Sequence, residues 1–538
     1  MPARPAPARL VAKLQAALVE RDVTAGFALL DASLKTPLKL DLAAPHSIPL
    51  LLCIAQWVDL GYASPAFFSA LAESGTQVDR ARLPLSDFLQ LRLAESYSAL
   101  SSEQVEQCIS TLDLVLRTGE DVLPPYHLFL THFWKGRAHR KRGDYVQAQT
   151  HILAARSLAE QMRAPKLVAV TKIHESWLRF QKGNRSAALQ LLAEAEKTLR
   201  PTGHALSLGN IESARGRFVR RSGEYTRALA HFEAAITIYN KGCPDHPNHA
   251  RALVNAAYVK RLIALDLQSG RTGGQALGAA HAKALQISRE ALALLEQARR
   301  IYAHHHHQGG TGSVLVNVAH IHLESGDIEQ ASAEALRALT LGNEKSDQIL
   351  MARARIALSG VELDRADEQV GEQSDIALHA TLAVQHADVA IELALQTQNN
   401  RLLAEAYIAR GFAAAADYFQ EWSAVKEYAA KASALLSSDD RDHLYKLLRK
   451  LKANLLGATR IDETLRLWAD GQFGGKTFQQ IQEEFAELVI PRVWLNCGRN
   501  VSLVSKHLRI SPKKVRRLLR KTNLQETEPL RSSRTARP

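Results

Sequence analysis

One template recurs at fixed register along the chain and constrains its fold more than any other feature. Four segments carry a Gly, an Ala five residues later and a second Ala seven beyond that. They are Gly143/Ala148/Ala155, Gly183/Ala188/Ala195, Gly223/Ala228/Ala235 and Gly326/Ala331/Ala338. A small residue stands twelve before each first Ala, namely Gly136, Ser176, Gly216 and Ala319. The Gly is followed by Asp144, Asn184, Glu224 or Asp327. A two-helix unit accounts for all of this. The small residue lets the second helix approach the first, and the Gly with its polar successor turns the chain and starts the second helix. Two Ala seven apart share one helical face, on which the next unit can stack. The step from Ala155 to Ala195 to Ala235 is 40 residues. Further units are predicted at Ala291 with Ala298, ending near Ala390 and Ala432, and near Leu114. The first 90 residues are apolar and helical in pattern but lack the template, which predicts divergent units or a cap. Ser269–Gly278 (SGRTGGQALG) and Asp364–Asp375 (DRADEQVGEQSD) are predicted as inserted loops.

The strings GRAHRKRGDYVQAQTHILAA, GRFVRRSGEYTRALAHFEAA and AHIHLESGDIEQASAEALRA resemble the tetratricopeptide repeat. IYNKGCPDHPNHARALVNAAY is similar to the linker of the longer repeats in kinesin light chain-type proteins. The resemblance implies an all-α solenoid, a superhelix of helical hairpins whose concave face receives a protein or peptide. Arg137, Arg140, Lys141 and Arg142 form a basic cluster on one first helix. An acidic peptide could face it, and a solvated surface is the simpler reading.

Charge separates the two ends of the chain. The 538 residues carry a formal +13. Thirteen Lys and Arg but only Glu526 and Glu528 fall in residues 492–538, so that end carries +11 and the rest is close to neutral. Such an asymmetry points to a polyanion partner. Within this end, Asn500 is a favoured N-cap for a helix running to Leu508, with Val501, Val504 and Leu508 on one face. After Arg509 and Ile510, Ser511 caps a second helix that has Pro512 at its first position. Val515, Leu518 and Leu519 form its apolar stripe, opposite Arg516, Arg517, Arg520 and Lys521. Two such helices form a helix-turn-helix. Lys513 and Lys514 in the first turn oppose the helix dipole, a cost that suits an end facing phosphates.

Cys497–Ser502 (CGRNVS), Leu508–Ser511 (LRIS), Lys513–Lys521 (KKVRRLLRK) and the preceding Glu483–Ile490 (EEFAELVI) resemble the C-terminal DNA-binding module of Fis-type bacterial regulators. That family usually has Gly where Arg509 stands, often Tyr where Arg516 stands, and paired Ala where Val504 and Ser505 stand. The resemblance implies contacts to double-stranded DNA from Ser511, Lys513, Lys514, Arg516, Arg517, Arg520 and Lys521. It also implies dimerisation through the preceding helices. Ile461–Asp470 and Thr477–Leu495 could serve, the latter through Phe478, Ile481, Phe485, Leu488 and Val489, although that stripe could equally be core.

Other chemistry is excluded or weak. Cys53, Cys108, Cys243 and Cys497 form no C-x-x-C pair, which argues against a zinc ribbon or a disulfide framework. Gly471–Thr477 (GQFGGKT) has Asp470 where a phosphate-binding loop needs its first Gly, and no strand precedes it. His304–His307, with His320 and His322, is predicted as a polar helix end rather than a metal site. No catalytic constellation is found, so the expectation is a non-enzyme without cofactor or metal. The N-terminus lacks the apolar core of a secretory signal, and Ile48–Leu60 is too short to span a bilayer. The chain is therefore expected in the cytoplasm. The expected organisation is a divergent cap over 1–90 and a repeat array over 91–457. A helix-turn-helix domain over 458–525 and a basic tail over 526–538 complete it. The expected function is a DNA-binding transcriptional regulator whose repeats receive a protein or peptide signal. The alternative is an interaction scaffold in which the terminal helices dock a protein.

Overall fold

The computed structural model describes residues 7–33, 42, 44–269, 275–368, 373–437, 439–458, 468 and 473–521. Twenty-four α-helices and no strand occur among the described residues. They divide into two compact units, with the boundary after Lys452.

The first unit opens with α1 (Pro7–Glu20), α2 (Val23–Ser33), α3 (Ser47–Asp59) and α4 (Pro65–Gln77). Eight hairpins follow. They pair α5 (Leu85–Ser101) with α6 (Val105–Gly119), α7 (Pro125–Arg142) with α8 (Tyr145–Gln161), and α9 (Pro165–Gln181) with α10 (Arg185–Leu199). The series continues with α11 (Ala205–Arg221) and α12 (Tyr225–Gly242), then α13 (Pro247–Ser269) and α14 (Gln275–His304). It runs on through α15 (Gln308–Glu324) and α16 (Ile328–Lys345), α17 (Gln348–Glu368) and α18 (Gln373–Leu395), and α19 (Asn400–Ala415) and α20 (Trp422–Leu435). The boundary falls within the next helix, α21 (His443–Ala458).

The template works as its chemistry requires. Gly143, Gly183, Gly223 and Gly326 all sit at positive φ, between 78° and 91°, where a side chain is strained. The following Asp144, Asn184 and Asp327 accept a backbone N–H of the new helix through their side chains; Glu224 does not. The eight template Ala are all fully buried. Gly136 and Gly216 lie against Ile152 and Phe232 of their partner helices. Ala291, Ala298, Ala390 and Ala432 are fully buried as well. Near Leu114 the register differs from expectation. Leu114 is half-buried, and fully buried Cys108 and Val115 take the two stacking positions of α6, with larger side chains than Ala. The expected loops shrink: Asp364–Glu368 completes α17, and Gln275–Gly278 begins α14. Residues 270–274 and 369–372 lie outside the described set.

The first helices form the inner wall. Successive ones touch, from α9 to α11, α13, α15, α17 and α19, whereas successive second helices make no comparable contact. A stack held closer on one side must curve towards that side. The superhelix also winds back onto itself. The turn after α3 reaches the start of α13, where His246 Nε2 lies 3.4 Å from the Asp59 carbonyl. The turn after α5 reaches α15, where the Gly309 N–H donates to Glu103 Oε2 at 2.7 Å. The turn after α7 reaches the one before α19, with Gln398 N–H on the Gly143 carbonyl and Val146 N–H on Gln398 Oε1. The turn after α11 meets the one before α21, with Arg441 N–H on the Arg221 carbonyl at 2.9 Å.

The second unit contains α22 (Phe478–Asn496), α23 (Val501–Leu508) and α24 (Pro512–Lys521). Ile490 and Trp494 of α22 share a small core with Val501, Val504, Val515, Leu518 and Leu519. Leu508 and Ile510 close its edge.

Candidate functional site

Two surfaces gather charged side chains. The first is the bore enclosed by the first helices. Arg137, Trp177 and Arg217 each follow the small residue of their helix by one position. Arg140, Phe180 and Arg220 follow it by four, and Lys141, Gln181 and Arg221 by five. The 40-residue repeat thus sets a ladder of side chains along the inner wall. The sequence cluster at 137–142 is only partly solvated, contrary to its simpler reading. Arg142 is exposed and pairs with Glu106 and Asp144. Arg137 makes a bidentate pair with Asp59, at 2.5 and 2.9 Å. Lys141 lies 3.9 Å from Glu103.

Arg140 has no carboxylate partner among the described residues. Its Nη1 lies 3.4 Å from His174 Nδ1, and its guanidinium sits over Trp177, 5.5 Å from the ring centroid. Among the described residues Arg217 of α11 makes no ion pair, and its Nε is buried without a hydrogen-bond partner. Arg251 of α13 donates to Asn248 Oδ1 at 3.1 Å. Arg220 lies over Tyr258, 4.7 Å from the centroid, and touches Asn255. Burial, then repulsion from Arg251 and Arg217, pushes the Arg140 guanidinium down to about 9. Burial, then Arg251 and Arg220, pushes Arg217 down to about 10. Burial pushes Lys141 down to about 8, with Glu103 opposing and the neighbouring arginines adding to the fall. Both guanidinium values lie above neutral pH, so these groups stay charged and the fold carries the repulsion. Sequence reasoning missed Arg217, Arg220 and Arg251. The 40-residue register that places Arg217 beneath Arg137 was the signal that could have found the first two.

The second surface is on α24. Asn500 Oδ1 accepts the N–H groups of Ser502 and Leu503, at 2.9 and 3.2 Å, and caps α23 as the sequence predicts. Arg509 takes the left-handed conformation, φ 52°, and closes the turn where a Gly would be unstrained. Ser505 Oγ donates to the Ile510 carbonyl at 2.6 Å and braces the turn. Ser511 Oγ accepts the Lys514 N–H at 3.3 Å. Val501, Val504, Val515, Leu518 and Leu519 are buried, and Leu508 and Ile510 half-buried. Lys513, Lys514, Arg516, Arg517 and Arg520 are exposed on the opposite face. Lys521 ends the helix, and its side chain lies outside the described residues. On α22, Phe478 is 74% and Phe485 49% exposed, so neither is core. The Leu488 side chain, most of 461–470 and all of 526–538 lie outside the described residues.

The weak sequence signals resolve into structure. His307 caps α15, its Nδ1 accepting the Gly310 N–H at 2.9 Å, and His305 Nε2 lies against the Asp245 carbonyl. No group of His, Cys, Asp or Glu suited to a metal occurs among the described residues. Gly474 and Gly475 form a turn before α22. All four cysteines are free. No helix among the described residues is long and apolar enough to cross a membrane.

No protein-family model and no curated protein matches this chain in sequence. Solved structures do overlay on it. A Rap protein complexed with Competence and Sporulation Factor aligns at 13% identity over 76% of this chain and 99% of that one, with a TM-score of 0.48. A monomeric mutant of IFIT1 with m7Gppp-AAAA aligns at 12% identity over 84% and 99%, with a TM-score of 0.34. A human IFIT1 dimer with the same ligand aligns at 12% over 79% and 94%, also at 0.34. Overlays this loose carry no functional inference. The helix order, the buried Ala pairs and the curved stack make the first unit a tetratricopeptide-like α-solenoid.

Proposed function

We propose that this chain is a helical-repeat scaffold that holds a segment of a protein partner within the bore of its superhelix. The observation that carries this reading is the inner wall itself. Charged, aromatic and amide side chains recur there at repeat spacing, at positions where a purely structural solenoid needs only small or solvated residues. Trp177, Arg217, Arg220 and Asn255 are half-buried, so a ligand can still reach them. The test is selection from a displayed peptide library against the full chain. Binding of the selected peptides should fall about tenfold or more with Trp177→Glu and stay unchanged with Gln190→Glu on an outer helix. Binders sensitive to the outer change alone, or no binders, would overturn it.

A second reading is favoured by one feature of the second unit. Lys513, Lys514, Arg517 and Arg520 are exposed on a capped helix that follows a tight turn, with Arg516 and Lys521 completing the basic set. This arrangement suits a recognition helix entering the major groove of double-stranded DNA from its Ser511 end. Regulation of transcription from the cytoplasm, as a homodimer joined through exposed Phe478 and Phe485, belongs to this reading. Anisotropy of the full chain with duplex DNA across a salt series tests it. Binding should weaken steeply with salt, and Arg517→Gln should reduce the log–log slope by about 0.9 if it meets one phosphate. Absence of binding at low salt would leave α24 as a protein-docking element.

A further inference from the structure

The cations of the repeat bore fall into two classes. One class is neutralised within the fold: Arg137 by Asp59, Arg261 by Glu324 at 2.8 Å, and Arg401 by Asp440 and Asp442. The other class has no carboxylate partner among the described residues. Arg140 on α7, Arg217 and Arg220 on α11 and Arg251 on α13 belong to it. Their contacts are a His ring, amide oxygens, Tyr302 and aromatic faces, and Arg217 Nε is buried with no partner at all. Like charges brought together out of water cost free energy, and a fold gains nothing by keeping them so. An anion between them removes both the repulsion and the unmet donors. We propose that the bore between α7, α11 and α13 is a binding site for a carboxylate-rich peptide segment of a protein partner, held by Arg140, Arg217 and Arg251. The inference rests on the scaffold reading and names the chemistry of what the scaffold holds.

Three observations select an acidic peptide over other polyanions. Arginines on α7, α11 and α13 lie close enough across the bore to repel one another, as do those on α11, α17 and α19. Arg140, Arg217, Arg220 and Arg251 are all half-buried, which suits a single narrow chain and not the broad face of a duplex. The wall also presents carboxylates, Asp59, Glu103 and Glu324, interleaved with the free arginines. These carboxylates are ion-paired, so the free arginines are separated by neutralised stretches of wall; a peptide can match that spacing by placing its acids at intervals between neutral residues, which a strand charged at every unit cannot. Lastly, Asn248 and Asn255 stand beside Arg251 and Arg220, where amides can pair with a peptide backbone.

The test uses the full chain and a fluorescein-labelled peptide of alternating Glu and Ala. Its comparators are the Gln counterpart, single-stranded oligouridylate and tripolyphosphate. The Glu peptide should bind, weaken as salt rises, and exceed the Gln peptide by about tenfold or more. Arg140→Gln and Arg217→Gln should each weaken it by about tenfold. Without ligand, Arg217→Gln should leave the melting temperature unchanged or raise it, because it deletes one of several repelling charges; a structural arginine would lower it. Equal binding of the Glu and Gln peptides would overturn the anion site while leaving the scaffold reading intact. Binding of oligouridylate or tripolyphosphate without the Glu peptide would make the cluster a phosphate site and overturn the peptide assignment. Failure of the Glu and Gln peptides and of the library-selected peptides alike would overturn the scaffold reading itself.

Discussion

Gly216→Ala tests the close approach that defines each hairpin, because two opposing effects decide its sign. In an exposed helix interior, replacing Gly by Ala stabilises by about 1 kcal/mol through propensity. At Gly216 the new Cβ would stand 2.9 Å from both Cε1 and Cζ of Phe232 and 3.1 Å from Cδ1. Phe232 is fully buried, so its ring cannot swing aside without disturbing α12 and the next hairpin. Overpacking of this kind costs about 1–3 kcal/mol. Set against the propensity gain, the net effect runs from near zero to a loss of about 2 kcal/mol. Gly278→Ala is the matched control, since nothing lies within 4 Å of its added Cβ on α14. That change should stabilise by about 0.5–1 kcal/mol, less than a mid-helix site because it sits in the first turn. Urea midpoints of both variants, followed by circular dichroism, give the comparison. If Gly216→Ala raises the midpoint as Gly278→Ala does, the packing of α11 against α12 is not as described.

Three further outcomes follow from particular residues. Asp59→Asn should cost about 3 kcal/mol, because it leaves Arg137 and the Trp134 N–H without their carboxylate, and thermal melts will show it. Burial pushes the Asp59 carboxyl up, but the charge and hydrogen bonds of Arg137 outweigh it and hold it below its ordinary value. Its contribution to stability is therefore present above the usual carboxylate range and lost as pH falls through the folded value, so the wild type should lose more stability below pH 4 than Asp59→Asn does. Burial pushes His204 and His443 down to about 3 and His246 to about 4, although Asp59 opposes the last. The unfolded chain takes up these protons first, so urea midpoints should fall as pH drops from about 6.5 towards those values, and His204→Gln should flatten the fall. Asn500→Ala removes the cap of α23 and should cost about 1 kcal/mol, read as faster amide exchange at 501–519 with the repeats unaffected.

The hairpins were legible because their constraints are local. A Gly that must take positive φ, a cap that must accept an N–H, and Ala pairs seven apart each leave a mark at fixed spacing. The turn from Leu508 to Ser511 was legible for the same reason, even though Arg509 stands where Gly is favoured. At α6 the template fails because Cys108 and Val115 fill the stacking positions with other small to medium side chains, and only burial distinguishes them from Leu114. The contact of Gly143 with Gln398, or of Arg221 with Arg441, joins residues more than two hundred apart. No periodicity encodes such a contact, because it depends on the accumulated curvature of the stack. The bore cluster was half legible. Arg137 and Arg140 stood out as a charge run, but nothing in that run signals that Asp59 neutralises the first while no carboxylate among the described residues neutralises the second.

Site-specific photocrosslinking in cells tests most directly whether the bore is the working surface. A benzophenone side chain placed at Trp177 on the inner wall is compared with one at exposed Gln190 on the outer face, both in the full chain. The scaffold account predicts a discrete protein adduct from position 177, reduced by Arg140→Gln, and none of the same mass from position 190. The same adduct from both positions, or from 190 alone, would contradict it.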